Sequence, residues 1–127
     1  MFSHVMVGAD DIEASRKFYD AVLGALGIEP GVIDPRGRVW WRTARGNFAI
    51  SKPLNGEPAS CANGGTIGFA ARTAEDADAF HAAGLAHGGT AVEDPPGIRE
   101  SPFGALHLAY LRDPAGNKVV AMHRVRS

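Results

Sequence analysis

The stretch LHLAYLRDPAGNKVVAMHR, residues 106–124, decides the fold of this chain. Its two outer runs, 106–112 and 118–124, have the apolar alternation that is typical of β-strands. The five residues between them are turn formers, since Pro114 presets φ for a turn and Gly116 supplies a positive φ. The stretch therefore predicts a β-hairpin near the end of the chain.

Upstream of this hairpin, the first half of the chain predicts a strand, a helix and three further strands. The helix begins at Asp10, with Glu13 three residues on as in a capping box, and Gly24 or Gly27 can end it. The four strands are predicted over residues 2–8, 28–34, 38–43 and 48–52. The order of this half is β-α-β-β-β.

The second half repeats that order. Residues 53–64 are rich in Pro, Gly, Asn, Ser and Ala without periodicity, which indicates a linker. Thr73 with Asp76 caps a second helix, and the proline-rich residues 94–104 are predicted to form a loop that is a candidate lid over a cleft. The strands of this half are predicted over residues 66–72, 90–93, 106–112 and 118–124.

The repeated order predicts one α+β domain over residues 1–127. Module 1 covers residues 1–52, the linker 53–64 and module 2 residues 65–127. A half of this size cannot hold a core alone. We therefore expect two βαβββ modules that form a curved mixed sheet around a cleft, with the helices outside.

Composition excludes several classes of function. The net charge of −1 gives no electrostatic footprint for nucleic acid or for an anionic membrane, and no apolar run is long enough to span a bilayer. The N-terminus lacks the pattern of a signal peptide. Cys61 is the only cysteine, which excludes an internal disulfide and suits a reducing compartment. We predict a cytoplasmic protein with no nucleic-acid or membrane partner.

Three pieces of the sequence together resemble the vicinal oxygen chelate (VOC) superfamily, which includes glyoxalase I, the bleomycin resistance proteins and the extradiol dioxygenases. The pieces are HVMVGADD followed by SRKFY, GTIGF followed by FHAAG, and Tyr110 followed by DPAGN. The resemblance covers essentially the whole chain and implies the paired-module fold with a ligand cleft. It also implies a homodimer, because members of this length usually complete the cleft or pack edge to edge with a second copy.

The resemblance further implies a divalent metal site, for Zn, Ni, Fe or Mn, and here the sequence departs from the family. Carried over residue by residue, the ligand positions fall on His4, Thr66 and Val120, with the remaining one near Ala49 or Ser51. A catalytic metal site normally needs three protein ligands, and His4 alone is of a suitable type. We therefore predict that no metal is held stoichiometrically, with His4 as a weak candidate ligand.

The same resemblance places His4 and Tyr110 in the cleft as candidate catalytic or ligand-contacting side chains, although both also suit hydrogen-bonded core positions. One of the adjacent Trp40 and Trp41 must face the cleft, and the pattern does not fix which. The candidate substrate-binding residues are Lys52, Trp41, Arg99, Leu108, Val120 and Met122.

Two histidines of the hairpin, His107 and His123, could in principle form a three-histidine site with His4. Strand alternation argues against it, because His107 and His123 should point away from the face of Tyr110 and Val120. In the predicted loop, Glu93 and Asp94 are candidate general bases if the loop folds inward.

Three functions remain open. The first is a small-molecule-binding protein of the bleomycin-resistance type without the usual metal, and the missing ligands favour it. The second is a metal-dependent glyoxalase-like lyase or isomerase with an altered ligand set. The third is a non-catalytic structural or regulatory dimer. The polar candidates for the cleft, such as His4 and Tyr110, argue against it.

Overall fold

The computed structural model describes residues 1–126, and side chains through Val125. The elements in chain order are β1 (His4–Gly8), α1 (Ile12–Ala25), β2 (Val32–Ile33), β3 (Val39–Thr43), β4 (Gly46–Ser51), β5 (Ile67–Ala70), α2 (Ala74–Ala86), β6 (Thr90–Ala91), β7 (Gly97–Ser101), β8 (Gly104–Arg112) and β9 (Lys118–Arg126). Within residues 1–126, no helix has both the length and the apolar character needed to cross a membrane.

The strands form two mixed sheets of the same topology. The first has the order β1-β4-β3-β2 and the second β5-β9-β8-β6, with β7 also paired to β8. In each sheet the strand before the helix runs parallel to the last strand, and the other pairs are antiparallel. The predicted α+β class and the doubled order of elements are therefore confirmed.

The arrangement of the two sheets differs from the single curved sheet with outer helices that the sequence suggested. The helix-facing residues of both sheets belong to one hydrophobic core, and α1 packs against α2. Phe48 of the first sheet meets Phe69 of the second edge to face, with ring centroids 5.2 Å apart. Each module thus buries its apolar sheet face and helix against the other module, because neither has enough apolar area to fold alone. The second face of each sheet points away from this shared core.

The predicted loop over residues 94–104 is corrected by the structure. Its central part is strand β7, which pairs with β8 from Gly97 opposite Leu108 to Ser101 opposite Gly104. Glu93 has a φ of 61°, and this left-handed residue separates β6 from β7 along the same edge of β8. These residues are a sheet edge held by backbone hydrogen bonds, so they do not form the lid that the prolines suggested.

Local chemistry explains where the helices begin and end. Asp11 caps α1 by accepting a hydrogen bond from the Ala14 amide, whereas the predicted cap, Asp10, accepts one from the Ala59 amide of the linker. Thr73 caps α2 through the Asp76 amide, as predicted. Gly27, at φ 86°, ends α1.

A buried polar cluster joins the closing hairpin to the first module. The Tyr19 hydroxyl donates to Oδ2 of Asp113 at 2.6 Å, and Nδ2 of Asn117 donates to the same oxygen at 2.9 Å. The Asn117 amide group also donates to the carbonyl of Gly8 at the end of β1. Burial, together with the adjacent Asp113 carboxylate, raises the pKa of Tyr19 well above its ordinary value. This phenol therefore remains a hydrogen-bond donor at neutral pH.

Gly84 is a point of close approach between α2 and the rest of the core, and it gives a first testable prediction. A Cβ there would run into Leu111 and would lie 3.1 Å from Phe18 and 3.2 Å from Val22, all of them fully buried. Gly84→Ala should lower the free energy of unfolding by about 1–3 kcal/mol because the packed neighbours must move.

Gly24 of α1 supplies the matched control, since nothing lies within 4 Å of a Cβ built on it. Gly24→Ala should raise the free energy of unfolding by about 0.5–1 kcal/mol through helix propensity alone. Urea denaturation of both variants measures the two changes. Equal effects of the two substitutions would contradict the packing described for α2.

Candidate functional site

The outer face of the first sheet, which we call the His4 face, is set by strand register. His4 of β1 stands beside Asn47, which stands beside Arg42 of β3, and in the next row Met6, Ala49 and Trp40 are neighbours. Because alternate residues point to opposite sides, Val5, Phe48 and Trp41 face the core. The His4 face consists of His4, Met6, Trp40, Arg42, Asn47, Ala49 and Ser51.

Trp40 is the centre of this face. Its indole Nε1 donates to Oδ2 of Asp34 at 2.9 Å, the His4 ring lies 5.5 Å from the Trp40 ring, and the Arg42 guanidinium lies 4.7 Å from its centroid. The Trp40 hydrogen bond, aided by backbone N–H groups of Arg38 and Arg36, lowers the pKa of Asp34. Trp40 is therefore held in place by a fixed carboxylate and carries a cation against its ring.

Trp41, the tryptophan included among the candidates, lies on the opposite side of β3. It is 2% exposed, and its Nε1 donates to Oδ1 of Asp20 on α1 at 2.9 Å. It borders a cavity of about 400 Å³ that lies between the end of α1, β1 and β5 and is also lined by His4 and Gly68. Trp40 therefore makes the ring contact with His4, whereas Trp41 and His4 both border this cavity.

The outer face of the second sheet, which we call the Tyr110 face, has an apolar centre. Tyr110 stands beside Val120, which stands beside Gly68 of β5, and in the next row Leu108 and Met122 are neighbours. The face also carries Arg99 beside Leu106, with Arg124 on the far side of Leu106. The Tyr110 face consists of Gly68, Ala70, Arg99, Leu106, Leu108, Tyr110, Arg112, Lys118, Val120, Met122 and Arg124.

A second cation lies against an aromatic ring on this face. The Lys118 ammonium is 5.0 Å from the centroid of the Tyr110 ring and forms an ion pair with the Glu93 carboxylate. The left-handed backbone of Glu93 lies at the break between β6 and β7, from where its side chain reaches Lys118. The position of Glu93 at the edge of the sheet therefore brings its carboxylate to the Tyr110 face, and no loop has to move.

The remaining predicted positions divide between the two sides of the sheets. His107 and His123 face the α2 side, where His107 Nε2 lies 2.8 Å from Oδ1 of Asp78 and His123 Nδ1 lies 3.3 Å from the carbonyl of Ala71. The predicted alternation of the hairpin is therefore confirmed. Arg99 folds back and donates to the backbone carbonyls of Asp94 and Pro95.

Two predicted neighbours are separated. The two candidate catalytic side chains, His4 and Tyr110, lie on different sheets of the chain. Lys52 follows the end of β4 and borders a separate depression with Asp10 and Glu57. The cleft expected to hold both His4 and Tyr110 therefore stays a prediction.

At the positions that the resemblance assigns to metal ligands, the side chains are of types that do not fit a metal. The strand register makes Ala49 and Val120 equivalent. Ala49 stands between Trp40 and β1, and Val120 stands between Tyr110 and β5. Both are apolar and buried. Among residues 1–126, no three His, Cys, Asp or Glu side chains are grouped as metal ligands would be. His4, whose Nδ1 lies 2.8 Å from the Ser3 hydroxyl, is left without companions of ligand type.

Sequence reasoning left Trp40 as an open alternative to Trp41 and missed Arg42 and Lys118 as components of these faces. The available signal was parity, because Arg42 is two residues from Trp40 and so shares its side of the strand. Lys118 and Tyr110 are on different strands, and only the hairpin register brings them within reach of each other.

A sequence model of the Glyoxalase/Bleomycin resistance protein/Dioxygenase superfamily matches residues 1–121. The crystal structure of a glyoxalase/bleomycin resistance protein from Albidiferax ferrireducens T118 is 59% identical, with a TM-score of 0.95 over 98% of this chain and 99% of that one. The lactoylglutathione lyase of Agrobacterium tumefaciens is 23% identical, with a TM-score of 0.65 over 97% and 92% of the two chains, a likeness of fold alone. No curated protein matches the chain.

Proposed function

Because the chain belongs to the Glyoxalase/Bleomycin resistance protein/Dioxygenase superfamily, we propose that it binds a small organic molecule in a cleft formed by a His4 face and a Tyr110 face, without the family's usual metal. The observation that supports the proposal is that apolar Ala49 and Val120 stand where the resemblance expects metal ligands, on faces that still present accessible aromatic and apolar groups. Met6 is 38% exposed and Met122 36% exposed, as a surface suited to an apolar ligand would be.

We further propose that a second copy of the chain completes the cleft. The two faces lie on separate sheets that point away from the shared core, so one chain presents two half-sites. β1 and β5, which carry His4 and Gly68, are edge strands whose outer backbone groups can meet another chain. A symmetric dimer would then contain two equivalent clefts.

The missing ligands also bear on the choice between binding and catalysis. A glyoxalase-like lyase or isomerase reaction that depends on a divalent metal would need a ligand set that these residues do not supply. A dication held against an apolar wall such as Val120 would also lose water without gaining a ligand there, which is costly. Ligand binding without metal chemistry is the function that the two faces support best.

Metal content and ligand binding together test this proposal. Protein purified without chelator should contain less than about one metal ion per ten chains, because a single imidazole leaves the site weak. In the presence of EDTA, small aromatic and thiol-conjugate ligands should still raise the melting temperature, since binding to the native state stabilises it. About one zinc, nickel, iron or manganese ion per chain, lost in His4→Ala, would refute the proposal.

Val120→Glu tests the assignment of the ligand positions. The new carboxylate stands where the family has its closing Glu, so this variant should gain affinity for zinc or nickel while wild type has none. Met122→Glu is the matched control, since it adds the same charge on the same strand and the same face. Equal metal affinity in both variants would show that Val120 is not at the ligand position.

A further inference from the structure

We infer that the ligand of this cleft is a planar organic acid, whose unsaturated ring stacks on Trp40 and whose anionic group pairs with Arg42. The inference rests on the proposed function and names the chemical class of its ligand. It follows from three observations: a cation–aromatic pair on each of the two faces, an unequal distribution of carboxylates, and the fixed position of the Trp40 indole.

The two rings occupy equivalent positions of the two modules, but their cations do not, since Arg42 lies on the same strand as its ring and Lys118 lies on the neighbouring strand. Trp40 on β3 stands beside Ala49 on β4, and Tyr110 on β8 stands beside Val120 on β9. A cation lies against each ring, since Arg42 is 4.7 Å from the Trp40 centroid and Lys118 is 5.0 Å from the Tyr110 centroid. Each half of the cleft therefore presents one ring with one cation beside it, a combination that suits a flat ligand with a charged substituent.

The two cations differ in what neutralises them. Lys118 already forms an ion pair with Glu93, whereas no carboxylate of residues 1–126 pairs with Arg42. The acidic group beside Trp40 is Asp34, and it accepts hydrogen bonds from the Trp40 indole and from the Arg36 and Arg38 amides. The guanidinium donors of Arg42 are therefore available to a ligand, and the anionic group of the ligand should bind at the His4 face.

Arg42 is also suited to the shape of a carboxylate. Its planar guanidinium presents parallel N–H donors that match two oxygens of one carboxylate, which an ammonium group cannot do. It is exposed on the face, and its contact with the Trp40 ring limits the orientations it can take. An anion that draws the Arg42 guanidinium off the indole would place the attached ring on the Trp40 face that the guanidinium covers in the unbound chain.

Trp40 supplies the platform for that ring. The bond from Nε1 to Asp34 fixes the indole, and its neighbour across the strand is the small Ala49, so no large side chain stands beside it on β4. The His4 ring lies 5.5 Å away and borders the same surface. A preorganised ring needs little ordering on binding, which favours stacking over a flexible apolar contact.

Matched probes separate the charge from the ring. Benzoate and salicylate carry both, benzamide keeps the ring without the charge, and cyclohexanecarboxylate keeps the charge without a planar ring. Isothermal titration of the metal-free full chain should give a dissociation constant for salicylate that is about tenfold or more lower than for either incomplete probe, as expected for a charge-assisted contact and a stacking contact.

Two substitutions of the same charge locate the anion site. Arg42→Gln should weaken the binding of salicylate by about 10- to 100-fold and change that of benzamide by less than about threefold. Arg36→Gln is the control, since it removes the same charge from the β2–β3 turn, and it should leave both constants unchanged. Arg42→Lys should weaken salicylate binding by an intermediate amount, because lysine keeps the positive charge but lacks the two parallel N–H donors of the guanidinium. Melting temperatures check that each variant is folded.

Several results would overturn the inference. One is equal binding of salicylate and benzamide, another is an equal loss in Arg42→Gln and Arg36→Gln, and a third is no binding of any acid at millimolar concentration. If neutral aromatic ligands bind in EDTA and the acids do not, the ligand class is wrong and the proposed metal-free cleft stands. If ligands bind only after about one metal ion per chain is added, the proposed function fails as well.

Discussion

Asp113→Ala is expected to lower the free energy of unfolding by about 3–5 kcal/mol, because it leaves buried donors without an acceptor, at about 1–3 kcal/mol for each. The Asp113 carboxylate is 4% exposed and accepts from the Tyr19 hydroxyl and the Asn117 side chain. It also accepts from the backbone N–H groups of Ala115 and Asn117, which form the turn of the closing hairpin. Thermal unfolding should show a midpoint lower by about 10 °C or more.

Two milder variants show whether the loss comes from this network. Tyr19→Phe removes one donor and leaves the turn intact, so it should cost only about 1–2 kcal/mol. Asp113→Asn keeps one acceptor oxygen but turns an amide N–H₂ toward other donors, and its cost should fall between the two. A cost for Asp113→Ala no larger than that for Tyr19→Phe would mean that the carboxylate contributes little beyond the single Tyr19 bond.

The sequence predicts best where a few neighbouring residues determine the structure. The turn at Pro114 and Gly116 depends on their own φ preferences and on the Asp113 side chain, all within five residues. The cap of α2 at Thr73 is equally local. The cap of α1 is one residue from its predicted position because Asp10 is engaged by Ala59, a contact 49 residues away in the chain.

Local sequence patterns do not predict the contacts between strands that are distant in the chain. Residues 97–101 carry no clear strand pattern, and they become β7 because the edge of β8 offers unpaired backbone groups. Period 2 indicates on which side of a strand a residue lies, but not which sheet faces meet, so two sheets around a shared core and one curved sheet predict the same alternation.

The candidate site shows the same division. Alternation correctly separates His107 and His123 from Tyr110 and Val120, because these residues lie on two long strands with a fixed turn between them. It does not choose between Trp40 and Trp41, since both sides of β3 accept an indole, and the choice is made by the Asp20 and Asp34 partners. The pairing of Lys118 with Glu93 depends on a backbone break that no local pattern signals.

A heterodimer of two variants that each bind ligand poorly as homodimers is expected to recover ligand binding. If each cleft takes its His4 face from one chain and its Tyr110 face from the other, Trp40→Leu homodimers and Tyr110→Leu homodimers have damage in every cleft. A heterodimer of the two variants concentrates both changes in one cleft and leaves the other intact. Isothermal titration of the differently tagged, purified heterodimer should therefore show about half the wild-type number of sites with the wild-type dissociation constant.

The outcome depends on the geometry of the cleft and not on the identity of the ligand, so the tightest-binding compound of the thermal screen is a sufficient probe. A double variant, Trp40→Leu with Tyr110→Leu in one chain, paired with a wild-type partner is the matched control. Its two clefts each carry one change, so it should bind as poorly as the single-variant homodimers. Recovery in this control but not in the heterodimer of the two single variants would show that both faces of a cleft come from one chain. A protein that is monomeric by light scattering while it binds the compound would rule out the shared cleft altogether.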